Sequence, residues 1–244
     1  MTKEPESPEP ELPQGGEPHS SGIAGDSLSA ALARHGIELP IEQVTALEEY
    51  CRVLWETNQR LNLTRHTDYE TFVARDLVDS MQLAAMLRPG ERVLDVGSGG
   101  GVPGIVLAIL RDDVKVSLAE SVGKKARALA EMIERLKLPV PVFAARAEHL
   151  LDDLGFDTLV ARAVGPLWKM CQWFAPHWES IGRMLVIKGP AWVKERGEAR
   201  HRGMLRTLEL RKAASYTPPG ADAPSVILEL WPKGRVRAGG EPQV

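Results

Sequence analysis

The chain has 244 residues, a formal net charge of −3 and two cysteines, Cys51 and Cys171. That length suits one sizeable α/β domain with additions. The cysteines have no zinc-like spacing and make no disulfide framework. No apolar run is long enough for a transmembrane helix, so a cytoplasmic protein with two reduced structural thiols is expected.

Residues 1–25 are rich in Pro, Glu, Gly and Ser and nearly empty of apolar side chains. Such a segment cannot bury enough surface to offset chain entropy, so a disordered acidic tail is expected there. It lacks the basic-then-apolar order of a secretory signal. Residues 26–90 read as an N-terminal helical cap. Asp26 or Ser27 can cap a short helix that Gly36 ends. A longer helix starts at Pro40 or Ile41, with Val44, Leu47, Cys51, Leu54 and Trp55 at helical spacing. A third runs over about Tyr69–Leu87, with Phe72, Leu77, Met81 and Leu83 inward, and Pro89-Gly90 stops it.

Residues 91–232 alternate strands and helices. Strands are expected at Arg92–Asp95, Val114–Ala119, Pro139–Ala144, Phe156–Ala161, Arg183–Ile187, Leu205–Arg211 and Ser225–Trp231. Helices follow at Ile105–Leu110, Gly123–Leu138 and Leu167–Trp178, with a basic helical stretch after Lys188. This alternation argues an α/β fold with a mainly parallel seven-stranded sheet. The last two strands lack an intervening helix and suggest an antiparallel edge. Residues 233–244 read as a flexible C-terminal tail.

The stretch that organises this domain is Arg92–Gly104, RVLDVGSGGGVPG. It reads as a buried strand, a sharp turn and a helix start, with Pro103 in the first helical turn. Gly99, Gly101 and Gly104 spell the dinucleotide fingerprint. Asp95, two residues before Gly97, instead gives D-x-G-x-G-x-G directly off the strand. That pattern resembles the first motif of class I methyltransferases, whose Rossmann-like fold binds S-adenosylmethionine. A carboxylate at Asp95 suits the ammonium end of that cofactor.

Ligands in such sheets bind outside the C-terminal strand ends. The polar residues Asp95, Glu120, Arg146, Glu148, Arg162 and Lys188 fall there. Glu120, after the second strand, is placed to accept ribose hydroxyls. Ala147-Glu148, after the third, lie where an adenine would sit. Arg162 ends an apolar strand and needs a partner: a cofactor carboxylate, a phosphate, or a structural Asp such as Asp157 or Asp95. Lys188 at the mouth could hold a substrate phosphate. Arg183–Lys212 contains nine Lys/Arg and three acids, a footprint suited to a polyanion. Within it Lys194, Arg196 and Arg200 are candidate RNA contacts. The histidines are scattered, so no metal site is expected.

Five segments together resemble the RsmG (GidB) family of 16S ribosomal RNA guanine-N7 methyltransferases. They are Asn62-Leu63-Thr64; Asp95–Gly104 with its V-P-G ending; Glu120-Ser121-Val122-Gly123-Lys124-Lys125; Ala161-Arg162-Ala163-Val164; and Lys188-Gly189. The resemblance implies a class I S-adenosylmethionine-dependent fold. It implies cofactor contacts at Gly97, Val102, Ala147, Glu148 and Arg162, with Arg146, Arg162 and Lys188 facing RNA or cofactor. It implies a small-subunit rRNA substrate; a monomer is the default expectation, which no residue pattern decides. Three positions depart from the family pattern. Glu120 replaces an Asp, Asp76 replaces a His in H-x-x-D-S, and Ala223-Pro224-Ser225 replaces a late Arg. A methyltransferase of small molecules or proteins, and a non-catalytic RNA-binding module, are the competing readings. The salt dependence of RNA binding separates them.

Overall fold

A computed structural model describes residues 27–235. The acidic tail and the C-terminal residues 236–244, both expected to be disordered, lie outside the described residues. Seven strands form one sheet in the order β3-β2-β1-β4-β5-β7-β6. They are β1 Arg92–Val96, β2 Lys115–Ala119, β3 Val142–Phe143, β4 Phe156–Arg162, β5 Ile181–Lys188, β6 Leu208–Tyr216 and β7 Ser225–Pro232. The first five run parallel. β7 is antiparallel to both β5 and β6. The strand order reverses between β1 and β4, and a crevice for ligands opens at such a switch point.

Side chains alternate across the strands and feed two apolar cores. On one face Val93, Val116, Val160, Leu185 and Ile227 meet helices α1 Leu28–Arg34, α2 Ile41–Asn58, α4 Val78–Ala84, α5 Gly104–Leu110 and α6 Gly123–Leu136. On the other, Leu94, Leu159, Met184 and Leu228 meet α7 Ala147–Leu150, α8 Leu167–Phe174 and α9 Trp192–His201. The N-terminal helices therefore share the core of the sheet. Among the described residues, no helix is long and apolar enough to cross a membrane.

Local chemistry fixes the ends of these elements. Ser27 Oγ accepts from the Ala30 N–H and starts α1. Asp68 Oδ1 accepts from the Thr71 N–H and starts α3 Tyr69–Thr71. α3 continues through a π-helical turn, Phe72–Leu77, into α4. This wider turn buries Phe72, Val73, Ala74, Asp76 and Leu77 together. The sequence predicts one regular helix here, because a π turn leaves no periodic signature.

Two strands differ from expectation. β3 shrinks to two residues because Pro139 and Pro141 have no N–H to give the ladder. β6 starts at Leu208 and runs on to Tyr216, later than Leu205–Arg211. The turn at Gly203, with φ of 76°, delays it, and β6 is bonded on one side alone, so its polar residues stay in strand.

Candidate functional site

The glycine loop crosses the switch point. Gly101 has a φ of 99°, and an added Cβ there would lie 2.5 Å from Ile105 Cδ1. Gly104 packs its bare Cα against Leu118 and Asp95, where a Cβ would sit 2.7 Å from the carboxylate. This contact lets Asp95 Oδ2 accept from the Gly104 N–H at 3.1 Å. Asp95 is 1% exposed. Burial pushes its carboxyl up to about 7, against the pull of the Gly104 N–H and the Arg162 charge. The loop is also held from upstream: the buried Tyr50 hydroxyl donates to the Gly100 carbonyl at 2.9 Å. Val102, half-buried, packs against the apolar core ahead of Pro103.

Glu120 is buried beside this loop. Its two oxygens accept from the Gly99 N–H at 3.0 Å and the Val122 N–H at 2.7 Å. It thus clamps the loop to the start of α6, and its remaining lone pairs can accept more. A cavity of about 200 Å³ opens next to it, lined by Gly97, Ser121, Arg146, Ala147, Glu148, Val164 and Trp173 among others. Ala147 is buried and Glu148 half-buried at the start of α7, a short helix the sequence reading missed. Arg146, expected to face RNA or cofactor, lines this same cavity and pairs with Glu148 at 3.3 Å.

Arg162 lies in an adjoining cavity of about 410 Å³ with Asp79, Lys188, Gly189, Glu195 and Ser225. Its partners are neither Asp157 nor Asp95. Nη2 reaches Asp76 at 2.7 Å and Nη1 reaches Asp79 at 3.2 Å. Burial works against the guanidinium charge, but the two carboxylates hold its pKa above the usual range. Asp76 also bonds His66 Nδ1 at 2.9 Å. The residue that departs from the family pattern is therefore absorbed into an ion pair, with an imidazole supplied from another loop. Tyr216 closes the set, its hydroxyl donating to Asp79 Oδ1 at 2.6 Å.

The two cavities lie on either side of one segment. Val164 lines the first, and Ala163 and Gly165 line the second. Ala163 has a φ of 57°, a left-handed conformation that costs a non-glycine residue about 1 kcal/mol or more. Strain of this kind collects where the surrounding structure needs a particular backbone course.

Lys188 corrects its sequence reading. It was expected at the mouth as a free charge for phosphate, and it is 8% exposed. Its Nζ donates to the Gly165 carbonyl and pairs with Glu195 at 2.8 Å. The basic stretch is likewise partly spent. Arg183 pairs with Glu91 and Glu229, Arg211 with Glu229, and Arg202 with Glu198. Among the described residues, no ion pair engages Lys194, Arg196, Arg200 or Arg206. Arg196 stacks on Trp192, 5.0 Å from the ring centre. Arg196 and Arg200 line a cleft of about 240 Å³ with Arg206, Glu209 and Lys233. That cleft lies near the start of β6, at the opposite edge of the sheet from the glycine loop.

The profile of the family described as rRNA small subunit methyltransferase G, GidB, matches residues 43–216. A ribosomal RNA small subunit methyltransferase G of Rhodopirellula baltica is 56% identical over 199 residues, covering 82% of this chain and 86% of that one. The chain belongs to this family. A ribosomal RNA small subunit methyltransferase G of Mycolicibacterium smegmatis is 32% identical over 210 residues, covering 81% of this chain and 87% of that one. The crystal structure of an MtNAS mutant in complex with S-adenosylmethionine is 19% identical with a TM-score of 0.52, covering 86% of each chain. That likeness is one of fold. The GidB match ends at Tyr216, so the tyrosine on Asp79 is within it and Ser225 is beyond it.

Proposed function

We propose that the chain is an S-adenosylmethionine-dependent methyltransferase that modifies N7 of a guanine in the 16S RNA of the small ribosomal subunit. The observation that carries this reading, beside family membership, is the pair of cavities divided by Ala163–Gly165. Such an arrangement suits a cofactor on one side and a base on the other.

The residues present fit the cofactor. Gly97 offers bare backbone against Val164, where a Cβ would come within 3.2 Å. Glu120 has lone pairs left for ribose hydroxyls, and Ala147 and Glu148 line the same cavity. Asp95 is the buried carboxylate at the strand end, within the electrostatic influence of the Arg162 cation. Gly99, Gly101 and Val102 shape the loop between them. When bound, S-adenosylmethionine supplies an electrophilic methyl group. Guanine N7 has an in-plane lone pair and needs no deprotonation, so the chain has to position and not to act as general base.

A base in folded RNA must leave its stack to reach such a cavity. Arg196 and Arg200, with Arg206 and Lys233, line the cleft at the far edge of the sheet, and with Lys194 on the same helix they are suited to phosphates of the RNA remote from the flipped base. Arg146 sits at the mouth of the first cavity. Residues of one chain line both cavities, which supports action as a monomer, and a small-subunit rRNA substrate supports a cytoplasmic site of action.

The test is N7-methylguanosine in small-subunit RNA from cells with and without the gene, together with transfer from labelled S-adenosylmethionine by purified protein. Loss of one modified guanosine on deletion, restored by the wild type, is expected. An unchanged modification pattern would overturn the assignment.

A further inference from the structure

The cavity that holds Arg162 has a wall whose chemistry is still unassigned. Two carboxylates line it, Asp79 and Glu195. Glu195 is committed on one oxygen, because Oε2 accepts from Lys188 Nζ and from the Leu167 N–H, each at 2.8 Å, which leaves it Oε1 alone. Asp79 is committed only in part. Oδ2 takes one N–H of Arg162 at 3.2 Å and Oδ1 takes the Tyr216 hydroxyl at 2.6 Å. An ionised carboxylate accepts about four hydrogen bonds. About two positions therefore remain, on a side chain that keeps 12% of its surface open. Lys188 and Arg162 are both neutralised, and Asp79 is the carboxylate of this lining that keeps an open acceptor position on each of its two oxygens, the arrangement that meets two adjacent donors.

The four RNA bases answer such an acceptor differently. Guanine alone has two adjacent donors on one edge, N1–H and the N2 amino group. Uracil sets its single N–H between two carbonyls, and adenine and cytosine set an amino group beside an acceptor nitrogen. Guanine N7 lies on the opposite edge of the ring system. A base gripped by N1 and N2 therefore turns N7 away from Asp79; Ala163 and Gly165 line the same cavity, and Val164 between them lines the other one.

We propose that Asp79 is the residue that selects guanine, receiving the N1–H and N2–H edge of the unstacked base in this cavity. The proposal rests on the reading of the chain as a guanine-N7 rRNA methyltransferase. Arg162 and Tyr216 act through Asp79 as positioning residues: one N–H and one O–H fix the carboxylate plane and leave its open lone pairs facing the cavity. Both contacts come from far along the chain, from the end of β4 and the end of β6.

The test replaces the methylated guanosine, once mapped, with inosine in a reconstituted small subunit. Inosine keeps N7 and N1–H and lacks only the 2-amino group. Wild-type kcat/KM is expected to fall about tenfold or more on inosine, the effect of one unmade hydrogen bond to a charged group. Asp79→Asn should lower kcat/KM on guanosine and shrink the preference to about twofold. Tyr216→Phe, which keeps the carboxylate, should raise KM and retain most of the preference. Equal use of inosine and guanosine by the wild type overturns the proposal, and that comparison needs no substitution. So does an Asp79→Asn enzyme that is slower with the wild-type preference intact, since that is a structural role. A wild type that binds cofactor and methylates no guanosine at all overturns the functional reading first and this proposal with it.

Discussion

Asp95→Asn isolates the cost of burying a carboxylate under the glycine loop. The asparagine carbonyl can keep the Gly104 N–H, so shape and hydrogen bond survive while the charge goes. Burial raises the Asp95 carboxyl from its ordinary 3.8 to about 7. The folded state then holds a proton that the unfolded chain releases above about pH 4. Stability therefore falls as pH rises through the window between those two values, and levels off above about 7. The slope is at most about 1.4 kcal/mol per pH unit. Between about pH 5 and pH 8 the wild type should lose roughly 2–3 kcal/mol relative to Asp95→Asn. Urea unfolding of both proteins across that range, plotted as the difference, cancels every other titrating group. A difference flat to within about 0.5 kcal/mol would show that Asp95 stays ionised throughout, and the burial argument would fail.

Three further outcomes follow from the same geometry. Glu120→Ala frees the Gly99 and Val122 N–H groups, and calorimetry should show S-adenosylmethionine affinity falling about tenfold or more; unchanged affinity would remove Glu120 from the cofactor site. Arg183→Met leaves Glu91 and Glu229 buried without their shared cation, and should cost about 3–5 kcal/mol in urea unfolding with cofactor affinity unchanged. The double variant Arg200→Glu, Arg206→Glu should lower the slope of log affinity against log salt for RNA by about 1.4, near 0.7 for each lost phosphate contact. An unaltered slope would place the RNA elsewhere on the surface.

What could be read from the sequence was local. The glycine loop declared itself because its signals are adjacent: an acid at a strand end, four glycines, then Pro103 and Gly104. The strand-end rule then brought Glu120, Ala147, Glu148 and Arg162 to one edge of the sheet. The partners of Arg162 were out of reach. Asp79 is 83 positions away and Tyr216 is 137 positions from Asp79. No periodicity encodes such pairings, and the nearer acids Asp95 and Asp157 looked like equal candidates. Asp157 instead accepts from the Arg92 N–H at the other end of the sheet. Lys188 misled for a related reason. A lysine at a strand end suggests an open mouth, but α9 turns back and delivers Glu195 to it. Charge counting over the basic stretch overstated the free charge in the same way, because Arg183 and Arg211 both pair with the buried Glu229.

The hydrogen bond from Tyr50 to Gly100 makes the glycine loop answerable to a helix fifty residues upstream. Any fluctuation that withdraws Tyr50 from its buried seat also frees the carbonyl that holds the loop in shape. A ligand that needs the formed loop must then raise the free energy of that opening by its own binding energy. Occupancy of the site is therefore written into the amide-exchange protection of α2, where no ligand atom reaches. By the same linkage, a lesion on the buried face of α2 weakens ligand affinity from a distance, as a shift in the population of formed loops.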